Sequence, residues 1–373
     1  MNDTSEPTSP ALSRGARIAA SMADSQTPLI KSCWYVIGWS RDFTRELKSR
    51  TVLEHDLVFF RSLDGKPTVL QNRCPHRSMP LSKGCLEGDS VRCGYHGLLF
   101  NREGICTEVP SQSAPPPSTA RIGAYPCVEV GPLVWVWMGN PESANPRDIP
   151  DTSWLSDPEW AFAHGYVHVD ANYVGLHENL LDLSHFTYLH PGNIGTPEFA
   201  STPFEVSMNK DRVHISRFIA DCAVPDIFTK PTGMTSDDRI SRVSASEYVT
   251  PGINSSYSVL TNLAPKDGAQ VKFESRISHL ITPESAESTH YFFTFARNFA
   301  VDNPEITQYV ERQAKLAFSQ DVDALVAIRA ITQAEQARSF EEINLRSDQA
   351  GVTMRRTLKR LAERESTVQH EGA

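Results

Sequence analysis

Two short stretches constrain this chain more than anything else in it. They are Cys74-Pro75-His76 and, after sixteen intervening residues, Cys93-Gly94-Tyr95-His96. Each offers one thiolate and one imidazole. A structural zinc site uses the same residue types, but its ligand loops usually begin with two closely spaced sulfurs. Here each loop mixes sulfur with nitrogen, which suits two iron ions of different character. In such a binuclear iron–sulfur centre two Cys hold one iron and two His hold the other. Exchanging two anionic thiolates for neutral imidazoles leaves the cluster less negative and easier to reduce.

The flanking residues sharpen this reading. Gly84, Gly88, Gly94 and Gly97 permit tight turns that let backbone N–H groups approach cluster sulfides. The run Asn72-Arg-Cys-Pro-His-Arg-Ser-Met-Pro-Leu-Ser-Lys-Gly84, followed by Gly88-Asp-Ser-Val-Arg-Cys-Gly-Tyr-His-Gly97, resembles the Rieske non-haem iron oxygenase family, in its vanillate and dicamba O-demethylase branch. The resemblance spans about residues 30–345 and includes Trp34-Tyr35 and Thr289-His-Tyr-Phe-Phe-Thr-Phe-Ala-Arg-Asn-Phe299. It implies an α+β fold: an N-terminal antiparallel β Rieske domain, then a catalytic domain whose twisted antiparallel sheet is flanked by helices. It also implies that Cys74, His76, Cys93 and His96 hold a [2Fe-2S] cluster.

At 373 residues the chain has room for two domains with sizeable cores. No apolar run approaches the length of a membrane-spanning helix, and the N-terminus lacks the apolar stretch of a signal peptide. Seven Cys is an odd count, and the five outside the motifs show no disulfide-framework spacing, so a reducing cytoplasm is expected. A net charge of −9 argues against nucleic acid and anionic membrane as partners.

Residues 1–25, rich in Ser, Thr, Pro and Ala, read as a disordered tail. Short apolar runs at 33–38, 57–61, 67–70 and 133–138 read as strands, with Asp64-Gly65 as a hairpin turn. A polar, turn-rich stretch at 139–146 divides a Rieske domain (26–145) from a catalytic domain (146–346). In the second domain the pattern predicts a strand at 166–170 and a helix over 172–188. Strands follow at 213–218, 255–260, 271–275 and 289–295, then a long helix from about Pro304 to Leu345. The charged stretch 347–373 reads as a frayed, partly helical tail.

The second chemically rich stretch is Asn179-Leu-Leu-Asp182-Leu-Ser-His185-Phe-Thr-Tyr-Leu-His190. Asn179, Asp182 and His185 share one helix face at three-residue spacing. His190 falls about 140° round a straight helix from His185, so the two meet one metal only if the helix ends or bends between them. Pro191 offers a cause, since the residue before proline avoids the α region. Two His and one carboxylate with open positions form the facial triad of non-haem Fe(II) oxygenases. The carboxylate is expected from the C-terminal helix. There Ala314, Ala317, Asp321, Leu325 and Ile328 make an apolar face with one acid in it. The competing reading is a salt-bridged helix carboxylate. Asp182 is placed to accept the ring N–H of an iron-bound His and orient it.

From the resemblance, His185, His190 and Asp321 hold iron. Asp182 links His96 of one subunit to His185 of the next in a head-to-tail homotrimer, and Asn179 lies near the iron. The implied activity is O₂-dependent O- or N-dealkylation of a small aromatic, a class that includes xenobiotics such as chloroacetanilides. The alternatives are ring or methyl hydroxylation without cleavage, and a pure electron-transfer protein. No Gly-x-Gly occurs anywhere, so NAD(P)H electrons are expected through a separate ferredoxin or flavin reductase.

Overall fold

The computed structural model describes residues 29–335 and 342–371, so the tail expected at 1–25 lies outside the described residues. Ten short strands come first: β1 (Trp34–Trp39), β2 (Lys48–Val52), β3 (His55–Arg61), β4 (Pro67–Gln71), β5 (Cys85–Glu87), β6 (Ser90–Arg92), β7 (Leu99–Phe100), β8 (Cys106–Glu108), β9 (Cys127–Val130) and β10 (Leu133–Trp137). They form three small antiparallel sheets, ordered β1-β10-β9, β2-β3-β4 and β5-β6-β7-β8. Gly65 takes φ +82° in the β3–β4 turn, where a side chain would be strained.

The second half holds one seven-stranded antiparallel sheet in the order β11-β17-β16-β15-β14-β13-β12. Its strands are β11 (Ala161–Val169), β12 (Phe204–Asn209), β13 (Arg212–Ala223), β14 (Arg239–Thr250), β15 (Ile253–Asn262), β16 (Lys272–Pro283) and β17 (Thr289–Arg297). Its helices are α1 (Tyr173–Leu181), α2 (Phe186–Leu189), α3 (Pro197–Ser201), α4 (Asp226–Thr232), α5 (Pro304–Glu335) and α6 (Gln349–Glu371). The α+β architecture matches the expectation. The sequence reading had no strand at β14.

The two halves share cores. Every side chain of β10 is buried, and its two faces serve different clusters. Val134 and Val136 join Tyr35 and Ile37 in the main core, which runs under α1 and α5. Leu133, Trp135 and Trp137 pack with Trp34 and Trp39 against Leu280, Phe292 and Ala296 on the other face of the large sheet. Full burial of each such side chain contributes roughly 1.5–3 kcal/mol. Polar clasps add to the seam: Thr282 Oγ1 donates to Val36 O at 2.8 Å, and Leu53 N to Pro283 O at 2.8 Å.

The C-terminal stretch differs from the frayed tail expected of it. α6 buries Ala350, Met354, Leu358 and Ala362 in the main core, one residue per turn. Arg355 pairs with Glu178 of α1, and Arg360 with Asp211 at 2.5 Å. Among the described residues no helix is long and apolar enough to cross a membrane.

Candidate metal centres

The first centre is built by two loops that lean on each other. Cys74 N donates to Met79 O at 3.0 Å and Cys93 N to Leu98 O at 2.8 Å, so each loop is closed on itself. Close approach of the loops demands glycine. A Cβ on Gly94 would lie 2.7 Å from Lys83 O, and one on Gly84 would lie 2.0 Å from Arg92 O. Cys74 and Cys93 are buried among Val58, Phe60, Leu81 and Phe100, whereas His76 and His96 are exposed. The two imidazoles face each other with ring centroids 4.5 Å apart. Burial pushes the Cys74 thiol up, and neighbouring Cys93 adds to the shift. Two buried sulfurs beneath two exposed imidazoles fit a binuclear cluster that two Cys and two His would hold.

The second centre depends on a break in the helix. α1 is capped at its start by the Asn172 side chain, which accepts from Val174 N at 2.7 Å. It ends at Asp182, whose backbone leaves the helical region (φ −103°, ψ 90°). Asp182 then caps the next turn: its Oδ1 accepts from Ser184 N at 2.9 Å and from Ser184 Oγ at 2.5 Å. The chain resumes as a single 3₁₀ turn, Leu183–His185, and then α2. One break therefore falls at Asp182, before His185, where no proline marks it. His190 ends α2 at φ −122° and ψ 49°, as its position before Pro191 requires. A Cβ on Gly195 would sit 1.8 Å from Phe186 O, so glycine there lets the following loop close against α2.

This local path brings His185, His190 and Asp321 together, with one ligand atom from each within 4.8 Å of the others. Asp321 is 4% exposed on α5, flanked by buried Ala314, Ala317 and Leu325. Ile328, expected on the same face, is 55% exposed because the helix has by then run past the core. Asp321 Oδ1 lies 3.0 Å from His190 Nε2 and 3.4 Å from His185 Nε2, and accepts from Asn179 Nδ2 at 3.0 Å.

The other ring nitrogens are committed elsewhere. His190 Nδ1 donates to Gln320 Oε1 at 2.8 Å, and His185 Nδ1 donates to the backbone carbonyl of Asp182. In that tautomer both Nε2 atoms present lone pairs to the carboxylate. Three electron-pair donors converging in a buried space is an arrangement that a cation resolves, so the residues fit a mononuclear metal. His185 Nε2 is itself buried without a hydrogen-bond partner. The Asp182 carboxylate does not orient His185 within the chain. Its backbone carbonyl does so, and the carboxylate is engaged with Ser184.

Gln320 was not assigned a role from the sequence. Its signal is adjacency to the expected ligand Asp321 on α5. The remaining histidines separate by environment. His177 Nε2 donates to Pro251 O at 3.0 Å, and burial lowers its pKa to about 4. His279 pairs with Tyr291 Oη at 2.6 Å and Ser256 Oγ at 3.3 Å, and burial lowers it to about 3.

A largely apolar cavity opens onto this centre. Leu180, Phe228, Ile277, Phe295 and Phe318 supply apolar walls, and His185, His279 and Asp321 lie at its metal end. Among aromatic and amide side chains of the sheet, Tyr257 lines the cavity, Asn254 and Phe293 are buried outside its lining, and Phe218 is 61% exposed.

A cluster-binding β domain joined to an open two-His-one-carboxylate site beside an apolar cavity defines the oxygenase component of a Rieske iron system. Residues 33–127 match the Rieske [2Fe-2S] domain, and residues 169–364 match the vanillate O-demethylase oxygenase C-terminal domain. The iron–sulfur subunit of a toluene-4-sulfonate monooxygenase system from Comamonas testosteroni is 36% identical over 78% of this chain and 86% of its own. The oxygenase component of dicamba O-demethylase from Stenotrophomonas maltophilia is 31% identical over 90% of this chain and 99% of its own. A crystal structure of dicamba monooxygenase bound to 3,6-dichlorosalicylic acid superposes with a TM-score of 0.85 at 29% identity, covering 91% of this chain and 99% of that one. The chain belongs to the vanillate O-demethylase-type Rieske non-haem iron oxygenases.

Proposed function

We propose that this protein oxidatively removes an alkyl group from a small aromatic ether or amine. The observation that carries the reading is the apolar cavity that ends on the His185–His190–Asp321 cluster. When bound, the cluster supplies electrons singly and the mononuclear iron supplies O₂ chemistry. The balance is one O₂, two electrons and two protons per alkyl carbon hydroxylated, with one water released. The hydroxylated carbon then expels the phenol or amine and leaves as an aldehyde.

The protein's own residues hold this chemistry in place. Gln320 and the Asp182 carbonyl fix the two imidazoles with Nε2 inward. Asn179 holds Asp321. Leu180, Phe228, Phe295 and Phe318 exclude water from the alkyl carbon. Electrons come from NAD(P)H through a separate ferredoxin or flavin reductase, and the protein works in the cytoplasm. It assembles as a head-to-tail trimer, in which Asp182 joins His96 of one subunit to His185 of the next. The half-buried position of the Asp182 carboxylate, three residues before His185, supports that role.

The toluene-4-sulfonate relative favours a second reading. A methyl group on a ring carbon has no alkoxy bond to lose, so its oxygenation retains every carbon. A panel of methoxy-, N-alkyl- and methyl-aromatics with a surrogate reductase separates the two. Aldehyde released in step with O₂ consumed supports dealkylation, whereas a benzylic alcohol with no aldehyde release overturns it.

A further inference from the structure

β17 carries one phenol in a row of phenyl rings. Tyr291, Phe293 and Phe295 alternate along one face of the strand and all join the main core. Tyr291 is 0% exposed, so its hydroxyl is met from within the protein. Its Oη lies 2.6 Å from His279 Nδ1 on neighbouring β16. His279 Nε2 lies 3.3 Å from Ser256 Oγ, which donates to Ser246 Oγ at 3.1 Å, which in turn donates to Asn254 Oδ1 at 2.8 Å. The Asn254 oxygen only accepts, so the chain runs in one direction. Ser256 Oγ accepts from His279 Nε2–H, and His279 Nδ1 is left to accept from the phenol.

The phenol–imidazole pair borders the mononuclear centre. His279 lines the cavity together with His185 and Asp321. Phe318, one turn before Asp321 on α5, has its ring centroid 5.3 Å from His279 and 5.9 Å from Tyr291. Burial pushes the Tyr291 phenol well above its ordinary range, and the Asp321 charge adds to the shift. Phenylalanine at this position would continue the row and need none of the four polar partners, each of which is costly to bury. The hydroxyl therefore brings something that packing does not use. An oxidised phenol is a strong acid, and a neutral imidazole held against its proton lets electron and proton leave together. Burial keeps His279 in that neutral form, with a pKa of about 3.

We infer that Tyr291 is an auxiliary one-electron donor to the mononuclear iron site, used when an oxidant forms there with the cavity empty. The phenol gives one electron to the oxidised metal centre and its hydroxyl proton to His279 Nδ1. An electron from the cluster, with return of that proton, restores it. With an alkyl carbon in the cavity, the bound molecule is the reductant and Tyr291 stays reduced. The arrangement spares His185 and His190, which the same oxidant would otherwise damage. This role rests on the iron-oxygenase site and is independent of which substrate bond is cleaved.

The test needs no substrate. Full-length, iron-loaded, reduced protein is mixed with hydrogen peroxide and frozen within milliseconds for electron paramagnetic resonance. Wild type is expected to show a tyrosyl signal whose splitting collapses when deuterated tyrosine is incorporated. Tyr291→Phe keeps the packing of the ring and is expected to lose that signal. His279→Gln still offers an oxygen to the hydroxyl but no base, and is expected to lose it too. Peptide mass spectrometry gives a second readout. After equal exposure to peroxide, oxidation of the peptides carrying His185 and His190 is expected to rise several-fold in Tyr291→Phe. Cluster absorbance and iron content, measured before mixing, establish that each variant is folded and loaded. No tyrosyl signal in wild type, an undiminished signal in Tyr291→Phe, or equal oxidation of the ligand peptides in the two proteins overturns the role. Dealkylation is scored apart, by aldehyde release with methoxy-aromatics present. Aldehyde without a Tyr291-dependent signal keeps dealkylation and removes the donor, and the reverse keeps the donor and removes dealkylation.

Discussion

His190 is held from both sides by consecutive residues of one helix: Nδ1 lies 2.8 Å from Gln320 Oε1 and Nε2 lies 3.0 Å from Asp321 Oδ1. One helical turn thus supplies both a ligand and the group that aims another ligand. Removing the aiming group from a metal-bound His typically costs about 10–100-fold in metal affinity. Gln320→Ala is expected to lower iron occupancy by that order in a chelator competition, with the visible spectrum of the cluster unchanged. Gln320→Glu keeps an acceptor and should retain iron. Undiminished iron affinity in Gln320→Ala would sink the orienting role.

Asp321→Ala and His185→Ala should each lose the mononuclear iron and keep the cluster, because each cluster loop closes on itself through Cys74 N–Met79 O and Cys93 N–Leu98 O. Metal analysis should fall from close to three irons per subunit to close to two, at constant cluster absorbance. Loss of the cluster with iron retained at the second centre would contradict this ligand map.

The two metal motifs were legible because ligand chemistry permits few substitutions and the spacings are short. Much of the large sheet was legible too, since a strand such as β17, buried on both faces, reads as an aromatic-rich run. β14 was not. Its inward positions include Arg242, Ser244 and Ser246, so a search for apolar alternation sees the wrong face. α6 was missed for a related reason. Its buried residues recur every four positions as a stripe one residue wide, set among Arg, Lys and Glu, and its anchors are long-range pairs such as Arg360–Asp211. The end of α2 before Pro191 was legible, because a local rule points there. The additional break at Asp182 was not, because there a side-chain cap on Ser184 competes with helix continuation and no proline marks it.

Asp182→Asn preserves the oxygen that caps Ser184, so both metals should remain bound and the thermal midpoint should hold. If the carboxylate links the centres of adjacent subunits, substrate-triggered oxidation of the reduced cluster in a single turnover should slow by at least an order of magnitude. Asp182→Ala should in addition lose about 1 kcal/mol from the missing cap. Cluster oxidation at the wild-type rate in Asp182→Asn would remove the bridging role.

Gly195→Ala tests the loop that closes against α2. Its new methyl would meet Phe186 O at 1.8 Å, a clash with backbone that no rotamer relieves. A cost of about 2–4 kcal/mol is expected, with a lower thermal midpoint and reduced iron occupancy, since His190 sits at the junction displaced. An unchanged midpoint would mean that this loop yields without strain.

His177 and His279 make stability depend on pH. Burial lowers their pKa values from 6.5 to about 4 and about 3, so the fold favours the neutral rings. The unfolded chain takes up the protons first as pH falls. The stabilisation is therefore complete above about pH 6.5 and drains as the pH drops toward the folded values. At about pH 5 each ring accounts for roughly 2 kcal/mol of loss, at 1.36 kcal/mol per unit. The variant that isolates one of them is His177→Gln, whose side-chain amide can still donate to Pro251 O and does not titrate. Its urea midpoint should fall less between about pH 7 and pH 5 than that of the wild type. Parallel falls in the two proteins would mean that His177 is already neutral in the unfolded chain at about pH 5, or gains a proton in the fold at no cost.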